Sequence, residues 1–271
     1  FAATPPLESL RMLLSIVAGR QSQKHQKDNF ILMTNDVKRA YFYAPATRPI
    51  YIKIPEEDRE PGDEENVGML RLSLYGTRDA AMNWAKTYTD HLKGLGFIVG
   101  SSNPCNFYHP QRDVACTVHG DDYTSAGREE DLKWLERNLK AKYEIKTEYL
   151  GPGEEHKREV RVLNRLLRWE EGRIEYEPDQ RHGEQVLEAL EMTDCKGVTT
   201  PGSRDDNEKA AQGNEAARAQ KDGQVRRPVA MFDGAEELDQ GDPEVELPAA
   251  EATKYRAISA RLNYLCQDRV D

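Results

Sequence analysis

The chain has 271 residues, 38% of them hydrophobic and 32% charged, with a formal charge of -10. That length can bury a real core in one large domain or two ordinary ones, but so high a charged fraction leaves a sizeable part outside any core. The acidic excess argues against a uniformly basic nucleic-acid binder, although Glu56–Glu60, Asp63–Glu65 and the tract from Asp205 to Glu251 hold much of it, which leaves room for a basic groove elsewhere.

Four widely spaced cysteines (Cys105, Cys116, Cys195 and Cys266) form no Cys-x-x-Cys or Cys/His pairing, which speaks against zinc and against a disulfide framework. No apolar run reaches membrane-spanning length and no signal peptide is visible. An intracellular setting, cytoplasmic or nuclear, is expected. The chain starts at Phe1 and stops after Asp271, and it reads as a fragment of something longer.

In chain order, Leu7–Ala18 carries apolar residues at helical spacing. Gln21–Lys27 is polar and basic, read as a solvated turn. Phe30–Asp36 is the first strong strand. Ile50, Ile52 and Ile54 alternate with Tyr51 and Lys53 as a half-buried strand ending at Pro55. An acidic loop follows, then a short strand at Met69–Leu74. Gly76 breaks the chain, and Thr77 is expected to cap a helix to about Leu95 with Ala81, Trp84, Tyr88 and Leu92 on its core face. Cys105–His109 and Val114–Val118 are strands joined by a turn at Pro110–Asp113, with Tyr123–Ser125 as the return strand. Glu129 to about Tyr143 is a helix with acids at its positive end and Lys140 and Lys142 at its negative end. Tyr143–Leu150 is a strand, Val160–Tyr176 a hairpin turning at Glu170–Gly172, and Gln180–Glu191 a helix. Ser203–Ala250 is polar, acidic and poor in aromatics, and is read as mostly disordered. Glu251–Asp268 is a final helix.

The pattern predicts an α+β fold, with helices on one face of a mainly antiparallel sheet. Two apolar runs each deliver carboxylates at their ends: Asp36 after Phe30–Asn35, and Asp121 and Asp122 after Val114–Gly120. Adjacent like charges raise each other's pKa and gain nothing without a cation beside them. A hard divalent ion prefers such oxygen ligands. If the two runs are neighbouring strands, the three carboxylates meet at one sheet edge, as a site for two ions of the kind polymerases use for phosphoryl transfer.

These motifs resemble the reverse transcriptase of copia-type long-terminal-repeat retrotransposons. Asp36-Val37-Lys38-Arg39-Ala40-Tyr41-Phe42 looks like the first catalytic motif, and Leu72–Gly76 through Trp84 like the substrate-positioning motif. Gly94–Phe97, Asn103–Phe107 and His119-Gly120-Asp121-Asp122 follow in the family's order. Met192–Lys196, Thr200-Pro201 and Tyr255–Leu265 with Arg269 and Asp271 are similar to its connecting region.

The resemblance implies a polymerase palm-like sheet and RNA-directed DNA polymerase chemistry. Asp36, Asp121 and Asp122 would be catalytic and, with the Val37 carbonyl, would hold two Mg2+ ions, with Mn2+ as a substitute. Val37, Tyr41, Gly76 and Arg78 would bind substrate, with Tyr41 packing under the incoming sugar to exclude a 2'-hydroxyl; core packing is the other reading of Tyr41. Partners would be an RNA or DNA template-primer duplex, dNTP, and the rest of a Pol polyprotein, with integrase upstream and ribonuclease H downstream.

The implied organisation is a palm with partial fingers at 1–150, a thumb or connection-like segment at 151–202, an acidic linker at 203–250 and a connection helix at 251–271. His119 and Gly120 stand where the family has Tyr and an apolar residue; Asp79, Ala81 and Met82 stand where it has Gln, Pro and Arg. These departures, with the fingers segment and ribonuclease H domain not in the sequence, frame the alternative of a decayed, inactive fragment or a nucleic-acid-binding module without catalysis.

Overall fold

A computed structural model describes residues 2–21, 30–63, 65–171, 173–196 and 248–266. They form two compact units that divide between Asp179 and Gln180. The first contains, in order, α1 (Leu7–Gln21), β1 (Phe30–Val37), a 3-10 turn (Ala40–Tyr43), β2 (Tyr51–Lys53), β3 (Val67–Met69), α2 (Ala80–Gly94), β4 (Ile98–Val99), β5 (Asn106–His109), β6 (Val114–His119), β7 (Asp122–Arg128), α3 (Glu129–Lys140), β8 (Ile145–Leu150), β9 (Glu159–Val162), β10 (Arg165–Glu170) and β11 (Arg173–Glu177). A six-stranded sheet runs β4-β5-β6-β7-β1-β8, while β9–β11 form a second sheet and β2–β3 a separate ribbon. Every pairing in the large sheet is antiparallel. This is the α+β, palm-like arrangement that the sequence predicts.

Successive residues on a strand point to opposite faces, and the two faces of the large sheet differ in what covers them. Ile31, Met33 and Val37 of β1 lie on the same side as Tyr123 of β7, and all four are fully buried. α2 and α3 pack there. The Tyr88 and Tyr123 rings stand 6.2 Å apart, and a Cβ built on Gly127 would lie 3.4 Å from Leu132. Leu132, Leu135 and Leu139 of α3 are each 0% exposed, and burying such a side chain stabilises by roughly 1.5–3 kcal/mol. The other face carries Thr34 and Asp36 of β1 with Asp122 and Thr124 of β7. α1 and the β9–β10 turn approach it, and Ser9, Leu10, Thr117, Thr124 and Leu163 enclose a small cavity there. Thus α2 and α3 share one face, whereas α1 takes the other, so the helices are not all on one face of the sheet as the sequence predicts.

Local expectations differ from the structure at three points. The strand read at Met69–Leu74 is β3 at Val67–Met69, after which only a bridge from Leu72 to Pro45 continues the pairing. Thr77 does not cap α2: its hydroxyl donates to the Leu74 carbonyl at 2.7 Å, and Asp79 occupies the N-cap position without a side-chain cap bond. The hairpin read at Val160–Tyr176 is three strands, because Leu163 and Asn164 make an extra two-residue turn between β9 and β10.

The second unit pairs α4 (Gln180–Ala189) with α5 (Ala249–Cys266). Val186 and Ile258 are buried, the His182 and Tyr264 rings lie 4.4 Å apart, and Arg261 donates to Gln185 Oε1 at 2.9 Å. The basic run at 22–27, the linker at 203–247 and the motif residues Thr200, Pro201, Arg269 and Asp271 lie outside the described residues.

Candidate active site

Sheet register, more than any local motif, gathers the carboxylates. β1 and β7 pair with Thr34 opposite Thr124, so two residues further on Asp36 falls opposite Asp122. Directly opposed residues share a face, with Cβ atoms about 4.5–5.5 Å apart. On the far side of β1, Lys146 of β8 stands opposite Asp36. On the far side of β7, His119 stands opposite Asp122. The row His119, Asp122, Asp36, Lys146 therefore crosses four strands at the sheet rim.

Asp121 occupies the two-residue turn between β6 and β7. Gly120 has φ +66, whereas Asp121 is not among the residues with positive φ. A positive φ at the first central position alone marks a type II′ turn, which favours Gly there. Gly120, a departure from the resembled family, is therefore the residue this turn demands. Two hydrogen bonds fix the turn: the Val37 N–H donates to the Asp121 carbonyl at 3.0 Å, and the Trp84 indole N–H donates to the Gly120 carbonyl at 2.7 Å.

The charge at this rim is poorly compensated. Burial, and then the charges of Asp121 and Asp36, push the Asp122 carboxyl up to about 6. Burial holds His119 below its usual range, opposed by Asp121 and assisted by Arg165. Lys146 pairs instead with Glu148, at 3.0 Å, and Lys157 reaches the same carboxylate at 2.7 Å. A cavity of about 130 Å³ lies against the row, lined by Thr34, Asp36, Asp122, Lys146, Glu148, Arg161 and Leu163 among others. Leu163, which lines it, has φ 49, and its neighbour Asn164 has φ 66; a left-handed Leu is costly for an L-residue.

The donor set is hard oxygen carrying excess negative charge, which fits Mg2+ or Mn2+. Among the described residues, no group of three or more His, Cys, Asp or Glu side chains is drawn together tightly enough to hold a metal ion. Like charges repel when no cation stands between them, and Mg2+ takes much of its shell from water and substrate phosphates.

The structure thus brings together Asp36, Val37, Asp121 and Asp122. Tyr41 lies in the 3-10 turn that follows β1: its ring stacks on Tyr75 with centroids 4.4 Å apart, and Phe42 meets Tyr75 edge-on. Burial and, more weakly, the charge of Asp121 raise Tyr75 above the usual phenol range. Gly76, at φ +88, and Arg78 are exposed on the loop that enters α2. Asp79 is not a bare charge: Arg48 Nε lies 3.2 Å from its carboxylate and Thr47 Oγ1 3.3 Å. Burial pulls Asp79 up, but Arg48 and Thr47 outweigh it and hold the carboxyl below its usual range.

Sequence reasoning missed Trp84 as a hydrogen-bond donor to the turn, Arg48 as the partner of Asp79, and Lys146 and Arg161 as cavity residues. Lys146 could have been found by counting back from Leu150 along the register. Arg48 and Arg161 carry no such signal.

A family profile described as reverse transcriptase (RNA-dependent DNA polymerase) matches residues 1–204. Over 206 residues the chain is 24% identical to the Retrovirus-related Pol polyprotein from transposon TNT 1-94 of Nicotiana tabacum, a match that covers 74% of this chain and 14% of that relative. The chain spans only a small part of the length of the curated relative it matches.

Proposed function

Since the chain belongs to the reverse transcriptase (RNA-dependent DNA polymerase) family, we propose that the rim formed by Asp36, Asp121 and Asp122 is the nucleotidyl-transfer site of an RNA-directed DNA polymerase. The reaction joins a dNTP to a primer 3'-hydroxyl on an RNA or DNA template. It takes place within a longer retrotransposon Pol polyprotein that also supplies integrase and ribonuclease H segments. The observation that carries this reading is the register that sets Asp36 opposite Asp122, with Asp121 tied by its carbonyl to Val37.

Two Mg2+ ions, or Mn2+, held by Asp36 and Asp121 with Asp122 and the Val37 carbonyl in support, would lower the pKa of the primer hydroxyl and neutralise the triphosphate and departing pyrophosphate. The chain's own residues position and exclude. Tyr41, its ring held by the Tyr75 stack, packs under the incoming sugar and rejects a 2'-hydroxyl. Gly76 and Arg78 meet the triphosphate from the loop before α2. Arg48 masks Asp79, which would otherwise repel that triphosphate at close range. Positioning and charge stabilisation do the work, with little covalent chemistry by the protein.

Primer extension by the intact polymerase tests this. Asp36→Asn and Asp121→Asn are each expected to abolish extension while leaving the protein folded, and Tyr41→Ala to admit ribonucleotides. Extension that survives both carboxylate changes overturns the assignment, whereas a folded wild-type protein that extends no primer leaves a module without catalysis.

A further inference from the structure

We propose that Trp84 is a positioning residue that latches the turn carrying Asp121, an inference that rests on reading that turn as part of the metal site. Trp84 is 1% exposed, and its ring is wedged edge-on between Tyr88 and Tyr143, with centroids 5.6 and 5.2 Å away. Its only polar atom, Nε1, donates to the Gly120 carbonyl at 2.7 Å. A buried indole N–H needs such a partner, but core packing alone does not require that the partner be this carbonyl.

The identity of the carbonyl matters. Gly120 and Asp121 are the two central residues of the turn, so the Gly120 carbonyl belongs to the peptide unit between them. Rotating that one unit interconverts the two tight hairpin turns. One form has positive φ at the first central residue only; the other has it at both. In the second form Asp121 would be driven into the left-handed region, and its side chain would leave the direction it now has. The indole bond holds the peptide in the first form, in which Gly120 alone has positive φ. The next peptide is held independently, by the Val37 N–H on the Asp121 carbonyl at 3.0 Å. Both peptide groups flanking Asp121 are thus anchored, one by α2 and one by β1. With its backbone fixed on both sides, the Asp121 carboxylate is preorganised at the rim that carries Asp36 and Asp122, and no binding energy is diverted to ordering it.

The test is Trp84→Phe in the intact polymerase, which removes the N–H and keeps an aromatic ring. Mn2+ affinity, followed by electron paramagnetic resonance, is expected to weaken about tenfold, the low end for groups that orient metal ligands. The kcat of primer extension is expected to fall with it while KM for dNTP stays near wild type. A folded variant that binds Mn2+ as tightly as wild type overturns the proposal. Should the variant not fold, indole ¹⁵N spectra of the wild-type protein decide: on adding Mg2+ the Trp84 signal is expected to move while Trp134 and Trp169 stay put, and a stationary Trp84 signal overturns the proposal. Wild-type protein that binds no Mn2+ removes the metal reading of the turn and this proposal with it, whereas normal wild-type binding with an unchanged Trp84→Phe removes this proposal alone.

Discussion

The two ends of the β1–β7 ladder obey opposite rules. At one end Phe30 faces Arg128 and Ile31 faces Gly127, followed by Leu32 opposite Ala126. Ile31, Leu32 and Met33 are each 0% exposed, and the guanidinium of Arg20 lies 5.0 Å from the Phe30 ring centre. At the other end Asp36 faces Asp122, like charge against like, next to Asn35 and Tyr123, whose buried Oδ1 and hydroxyl have no hydrogen-bond partner in the structure. One continuous antiparallel pair therefore carries stabilising pairs where it anchors the core and destabilising pairs where it meets solvent. Sequences that specify a fold break their own local rules mainly at functional sites, and here the break is confined to a few residues at one rim.

Substitutions on the two ends should separate stability from function. The largest stability effect belongs to the packed end. Ile31→Ala is expected to cost about 2–5 kcal/mol in denaturant unfolding, because Ile31 is fully buried. A much smaller loss would mean that this end is not the anchor. Next comes the turn. Gly120→Ala meets no atom within 4 Å, so its cost arises from φ +66 alone; about 1–2 kcal/mol of stability should be lost. A silent change would show that the turn relaxes freely, which would weaken the case for a latched peptide.

The smallest effect has the opposite sign. Asp122 has a folded-state pKa of about 6 against an ordinary 3.8. The folded state therefore holds the proton more tightly, and stability falls as pH rises between those two values. The deficit is complete above about pH 6 and absent well below pH 4. Because the side chain is only partly buried, its size is discounted to on the order of 1 kcal/mol. Asp122→Asn should thus stabilise the protein in chelator at pH 7.5 and leave it unchanged at pH 3.5. Destabilisation at pH 7.5 would contradict the picture of an uncompensated carboxylate.

Much of this was legible in the sequence because both strands announce themselves by apolar composition and both deliver Asp at the end. Once the strands are neighbours, antiparallel pairing needs only one correct partner to bring Asp36 to Asp122. The motif order supplied the family. What stayed hidden depends on tertiary geometry. The Leu163–Asn164 turn places Leu in the left-handed region, where no turn propensity predicts it. Trp84 sits in a helical apolar stripe, and its spacing reveals a core residue but not which carbonyl its N–H will find. Arg48 and Asp79 are 31 positions apart along the chain and meet only in the folded structure, where Thr47 also reaches the Asp79 carboxylate.

Three carboxylates distant in sequence are proposed to act together on divalent cations. Mn2+ titration of the intact polymerase, read by electron paramagnetic resonance on wild type and Asp36→Asn side by side, tests it most directly. The expected result is saturable binding in the wild type that weakens in the variant by more than the roughly 10–100-fold typical of an outer-shell change. Equal affinity in the two proteins would contradict it.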